Sequence, residues 1–121
     1  MIEATLPLPP SANALFHNLK GGGRAKTQAY KAWIEEAGWH LKTAWSRAGK
    51  PEIADQPMRL SIQLGLTKRN RDASNCAKAI EDLLCRCLPV PDDRWNDDIH
   101  IRRAAEADGM ARVRLEPIDT T

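Results

Sequence analysis

Asp72 sits in the segment Arg69-Asn70-Arg71-Asp72-Ala73-Ser74-Asn75-Cys76-Ala77-Lys78, and a second acidic pair, Asp92-Asp93, follows after one short helical stretch. Carboxylates are the oxygen ligands that a hard cation such as Mg²⁺ prefers, while Lys78 and the nearby arginines can hold a phosphate and offset the charge that builds on it. Two acidic clusters joined by a helix and flanked by cations suit metal-assisted phosphodiester hydrolysis. The sequence therefore points to a protein that cuts or grips nucleic acid.

The distribution of charge agrees with that chemistry. The net charge is only +2, but residues 1–71 carry 11 Lys and Arg against 5 acids, whereas residues 72–121 carry 7 against 11. A polyanion would be drawn to the first part, and the acidic second part is suited to holding divalent cations. Candidate phosphate contacts are Lys20, Arg24 and Lys26 around Gly21-Gly22-Gly23, with Lys68, Arg69 and Arg71 just before Asp72.

These residues need a scaffold. A length of 121 residues with 42% hydrophobic content fits one domain, residues 1–121, because single domains cluster at about 100 to 150 residues. No apolar run reaches the length of a membrane span, and the first residues lack a basic, apolar leader, so a cytoplasmic protein is expected. Ile2 to Leu8 reads as a strand ended by prolines, and Ser11 to Lys26 as a mobile loop. Apolar residues recur at helical spacing from Thr27 to Ala48, where Gly49 and Pro51 stop the pattern. Trp33 and Trp45 lie on the apolar stripe, and Trp39 lies off it. Met58 to Leu66 alternates as a half-buried strand with its even-numbered side chains inward. Asn75 to Cys87 is a second amphipathic helix, with Asn75, Lys78 and Asp82 on its polar face. Ile99 to Ala104 and Met110 to Pro117 are read as two strands joined by an Asp108-Gly109 hairpin turn. The predicted order is β, α, β, α, β, β, an α/β (α+β) fold with a mixed sheet of about four strands and two main helices.

With the elements in place, the chain resembles the RusA-type Holliday junction resolvases. Leu8-Pro9-Pro10-Ser11-Ala12-Asn13 is similar to that family's entry segment, Asp72 to Lys78 to its Asp-x-Asp-Asn-x-x-Lys signature, and Asp92-Asp93 to its acidic pair at the expected separation. The resemblance implies a bacterial or phage-encoded, homodimeric, Mg²⁺-dependent endonuclease that nicks two opposed strands of a four-way DNA junction in recombination and repair. A C₂ dimer would present one site to each of two symmetry-related strands. By position it makes Asp72 and Asp93 metal-binding and catalytic carboxylates, Lys78 the cation at the scissile phosphate and Asn75 an orienting residue, with Asp92 and Ser74 as further metal ligands. The chain departs from the pattern at Ser74, where the family carries a second aspartate. One carboxylate fewer weakens a Mg²⁺ site, so the alternative is a catalytically impaired branched-DNA-binding relative. A third reading is a small interaction module with no nucleic-acid role.

Other reactive residues add little. Cys76, Cys85 and Cys87 lack zinc spacing and are expected to be reduced, packed thiols. His17, His40 and His100 are scattered, with His40 expected to be structural. Asp97 and Asp98 are expected in a solvated acidic turn, and Asp82, Asp92, Asp97 and Asp98 are the carboxylates that could compensate for Ser74. Trp39 and Trp95 are candidates for stacking on a base or anchoring a surface.

Overall fold

The computed structural model describes residues 1–11, 14–51, 56–66, 73–88 and 96–118. Its strands are β1 (Ile2–Pro7), β2 (Phe16–Asn18), β3 (Arg24–Lys26), β4 (Met58–Leu64), β5 (Asn96–Arg103) and β6 (Met110–Pro117), and its helices are α1 (Gln28–Arg47) and α2 (Ala73–Cys87). Four strands form one mixed sheet in the order β1-β6-β4-β5, so the fold is mixed α+β with two helices, as the hydrophobic periodicities predict.

Alternation fixes the faces of the sheet. Met58, Leu60, Ile62 and Leu64 of β4 are buried, together with Ala111, Val113 and Leu115 of β6 and Ile2 and Leu6 of β1. Helix α1 adds Tyr30, Trp33, Ala37 and Leu41 to this core, and α2 adds Cys76, Ala77, Ala79, Ile80, Leu83 and Leu84. Thr27 caps α1 by accepting a hydrogen bond from the Tyr30 amide at 3.1 Å, and Gly49, at φ +90°, ends the helix in the left-handed conformation that glycine tolerates. Trp33 ties α1 to the sheet edge, its indole N–H donating to the Pro7 carbonyl at 2.8 Å.

Two features differ from the sequence reading. The stretch read as a loop contains the β2-β3 hairpin, in which Phe16 lies opposite Lys26 and Asn18 opposite Arg24. Its turn is made by Gly21, Gly22 and Gly23, all at positive φ, so the glycines that suggested mobility serve a tight reversal. The second difference concerns β5 and β6, which do not form a hairpin. β5 pairs parallel to β4 after the α2 crossover, and β6 lies antiparallel between β1 and β4. Their connection, a 3₁₀ turn at Ala105–Ala107 followed by left-handed Asp108, passes across the end of β4. Asp-Gly marks a reversal of the chain but does not specify which strands pair across it.

The outer face of the sheet is polar. Arg59 of β4 donates to Asp98 of β5 at 2.8 Å, and His100 Nε2 lies 2.7 Å from the same carboxylate. Asp98 and His100 thus belong to a strand, which corrects the expectation of a solvated acidic turn; Asp97 is in β5 as well. The hydrogen bond from Arg59, with the charge of His100, holds Asp98 below its ordinary value of 3.8. A carboxyl with a lowered folded pKa adds stability above its unfolded value, and that stability is lost as pH falls through the lowered value. Asp98→Asn is accordingly expected to lower stability at neutral pH and to converge with the wild type below about pH 4, so that its acid limb is flatter. Thermal melts from pH 6 to 3 read this directly; parallel acid limbs in the two proteins would refute it.

Candidate functional site

Helix α2 organises the site, because β4, α2 and β5 form a parallel crossover and the motif segment leads from the end of β4 into the first turn of α2. In open α/β crossovers, ligands gather outside the carboxyl ends of the strands, at the amino ends of the following helices. Ser74 and Asn75 are exposed in that first turn, and Lys78 is exposed one turn further on. Lys78 Nζ lies 3.1 Å from Asp82 Oδ1, an i,i+4 pair on the polar face that the sequence assigns to both residues. Asp72, Asp92, Asp93, Lys68, Arg69, Arg71 and Trp95 lie outside the described residues.

An aromatic chain supports Arg24 of the hairpin. The Arg24 guanidinium lies 4.8 Å from the Phe16 ring centroid, Phe16 meets Tyr30 edge-on at 5.5 Å, and Tyr30 stacks near Trp33 at 6.1 Å. Lys20 is exposed at the turn and Lys26 is half-buried at its base. Burial raises the Tyr30 pKa, the negative charge of Asp82 raises it further, and Arg86 opposes both.

A contact absent from the sequence reading links α2 to β5. Asn96 donates its side-chain amide to Glu81 Oε2 at 3.0 Å. Ser74, Lys78 and Glu81 recur at i, i+4 and i+7 and share one stripe of α2; that spacing was the available signal. The contact matters because β5 begins opposite the start of β4, Asn96 facing Met58, whereas the motif segment leaves the other end of β4. Glu81 holds the start of β5 halfway along α2 rather than at its far end.

The described part of the site offers the Ser74 hydroxyl and the Asn75 amide, both oxygen donors, at a helix end where no acid occupies the first turn. Because a helix amino terminus disfavours a cation, the charge to hold one must come from carboxylates such as Asp72 and Asp93. Among the described residues no group of three or more His, Cys, Asp or Glu is placed to hold a metal. The cysteines are all free thiols; Cys76 is buried, Cys87 is half-buried with its pKa raised by burial, and Cys85 is exposed rather than packed. Among the described residues no helix is long and apolar enough to cross a membrane. Comparison with family models and with curated proteins finds no match to the chain.

Proposed function

We propose that the protein is a Mg²⁺-dependent, structure-selective endonuclease of the RusA type that resolves four-way DNA junctions as a homodimer. The observation that carries the reading is the position of Lys78. It is exposed on the α2 stripe between the motif segment and Glu81, where it pairs with Asp82. Along α2, Ala73 and Glu81 are separated by about 12 Å, and three extended residues span about 10 Å. A site centred on Lys78 is thus within reach of carboxylates that precede Ala73 and of carboxylates that precede Asn96.

In this reading Asp72 and Asp93 are the principal metal-binding carboxylates, with Asp92 and the Ser74 hydroxyl as further oxygen ligands. Bound Mg²⁺ would supply Lewis acidity and lower the pKa of a coordinated water. Asn75 orients the carboxylates through its amide. Lys78 releases Asp82 to meet the scissile phosphate and stabilises the charge that develops on its oxygens. Lys20, Arg24 and Lys26, with Lys68, Arg69 and Arg71, grip the DNA backbone, so binding weakens as salt displaces the protein from its phosphates. The deciding experiment is incubation of the protein with an end-labelled four-way junction, with Mg²⁺ or with EDTA. Paired symmetric nicks that require Mg²⁺ support the reading. Salt-sensitive binding without nicks favours the impaired branched-DNA-binding relative, which Ser74 keeps open.

For the dimer, β5 offers a surface. It is an edge strand of the sheet, and Ile99 and Ile101 on its helix-facing side are each 44% exposed. An uncovered apolar edge invites association with a second strand. The wild type is expected to run at twice the 13.5 kDa chain mass, and Ile99→Glu with Ile101→Glu to run as a monomer. Light scattering after gel filtration checks this, and a dimer that survives both substitutions excludes β5.

A further inference from the structure

One cavity lies away from α2. A groove of about 1000 Å³ runs between one flank of α1 and the outer face of β1, β6 and β4. A second depression of about 400 Å³ adjoins it around α1 and shares Trp39, Thr43 and Arg47 with it. Trp39 is 64% exposed and stands between the two, with His40 edge-on to its ring at 5.0 Å. A tryptophan so exposed does little for the core.

We propose that this groove is a track for a single DNA strand, with Trp39 as the platform on which a base stacks. In taking DNA as the polymer, the inference rests on the function proposed above. Charge complementarity selects the occupant: Arg47, Arg112 and Arg114 line the groove against one acid, Glu3, and Lys42 extends the cationic path into the second depression. Arg114 is held by Glu3, and Arg112 donates to the Glu106 carbonyl at 2.9 Å. Arg47 has no acidic partner among the described residues and lines both depressions. Thr43, Ser61 and Gln63 add hydrogen-bonding groups without adding negative charge. Basic side chains tracking the backbone, interrupted by an aromatic face, are how single strands are held with little sequence preference. At a junction, such a track would receive a strand parted from its partner at the branch point.

The test is fluorescence anisotropy of a labelled oligothymidylate strand with the full chain, in EDTA so that no cleavage intervenes, over a range of salt. Trp39→Ala is expected to weaken binding about tenfold. Arg47→Gln is expected to reduce the slope of log affinity on log salt by about 0.7, the loss of one phosphate contact. Wild-type affinity and slope in both variants, or no oligonucleotide binding by the wild type, would overturn the groove. Should Trp39→Ala fail to fold, the Arg47→Gln slope decides alone. Junction nicking by the wild type in Mg²⁺, run in parallel, separates the two readings. A protein that nicks junctions but binds oligothymidylate equally well in all variants retains the nuclease assignment and loses the groove. One whose strand binding depends on Trp39 but which never nicks loses the nuclease assignment and retains the groove.

Discussion

Asp72→Asn is expected to abolish Mg²⁺-dependent nicking of a four-way junction while binding stays within a few-fold of the wild type. Asparagine keeps the size of aspartate and removes its charge, and Mg²⁺ affinity depends on that charge because the ion gives up its waters reluctantly. Loss of a metal ligand removes about 4 kcal/mol of transition-state stabilisation, about a thousandfold in rate. Binding should survive because it depends on cations elsewhere, several of them on the β2-β3 hairpin, where Arg24 rests on Phe16. Gel mobility and strand cleavage read from one reaction separate the two effects. The companion variant Ser74→Asp adds a carboxylate to the exposed first turn of α2, and faster nicking is expected from it. If Ser74→Asp folds, binds junctions and shows no gain, the proposed site geometry is wrong; if Asp72→Asn still nicks, the metal is held elsewhere.

The second large effect is structural. Gly65→Ala is expected to lower stability by about 3 kcal/mol, at the upper end of ordinary overpacking, because the obstacle is main chain and cannot swing aside. A Cβ on Gly65 would stand 2.6 Å from the Gly109 nitrogen, 2.8 Å from the Ala107 carbonyl carbon and 2.9 Å from the Asp108 nitrogen. The same atoms are laced together by Gly65 N–H to the Met110 carbonyl at 2.8 Å and Gly109 N–H to the Gly65 carbonyl at 3.2 Å. Gly65 lets the β5-β6 connection cross the end of β4, so the substitution also disturbs the chain where it departs toward the motif segment. Denaturant unfolding measures the loss; a midpoint equal to the wild type would show that the crossing has slack.

That crossing also marks the limit of what the sequence could tell. The strict alternation of Met58 to Leu64 and the stripes of α1 and α2 were legible because one buried face imposes a period on nearby residues. The pairing of β5 with β4 was not, because it depends on the α2 crossover and on β6 occupying the space between β1 and β4, and no local pattern encodes either. Glycines misled in the segment before α1, where a flexible composition accompanies a hairpin fixed by Phe16 and Tyr30. At the site, residue spacing gave Lys78 and Asn75 their places on α2, whereas Ser74, read as preceding the helix, lies in its first turn. The Asn96 to Glu81 contact joins positions 15 residues apart through two ordinary polar side chains, so it was visible only in three dimensions. Trp39 could be set off the core stripe by its spacing, but the groove beside it needed the sheet.

The strand order has a consequence for how the molecule is made. Among the described strands β1 pairs only with β6, with Ile2 opposite Leu115, and β6 also closes against β4. A nascent chain emerging from the ribosome can form α1 and the short hairpin early, but the strand that joins β1 to the rest of the sheet follows every other strand of that sheet in chain order. Long-range pairings of this kind slow folding, and until β6 arrives, β1 and β4 expose open edges of the kind that aggregate. Assembly of the sheet therefore waits on β6, and the interval before it is when the protein most needs protection.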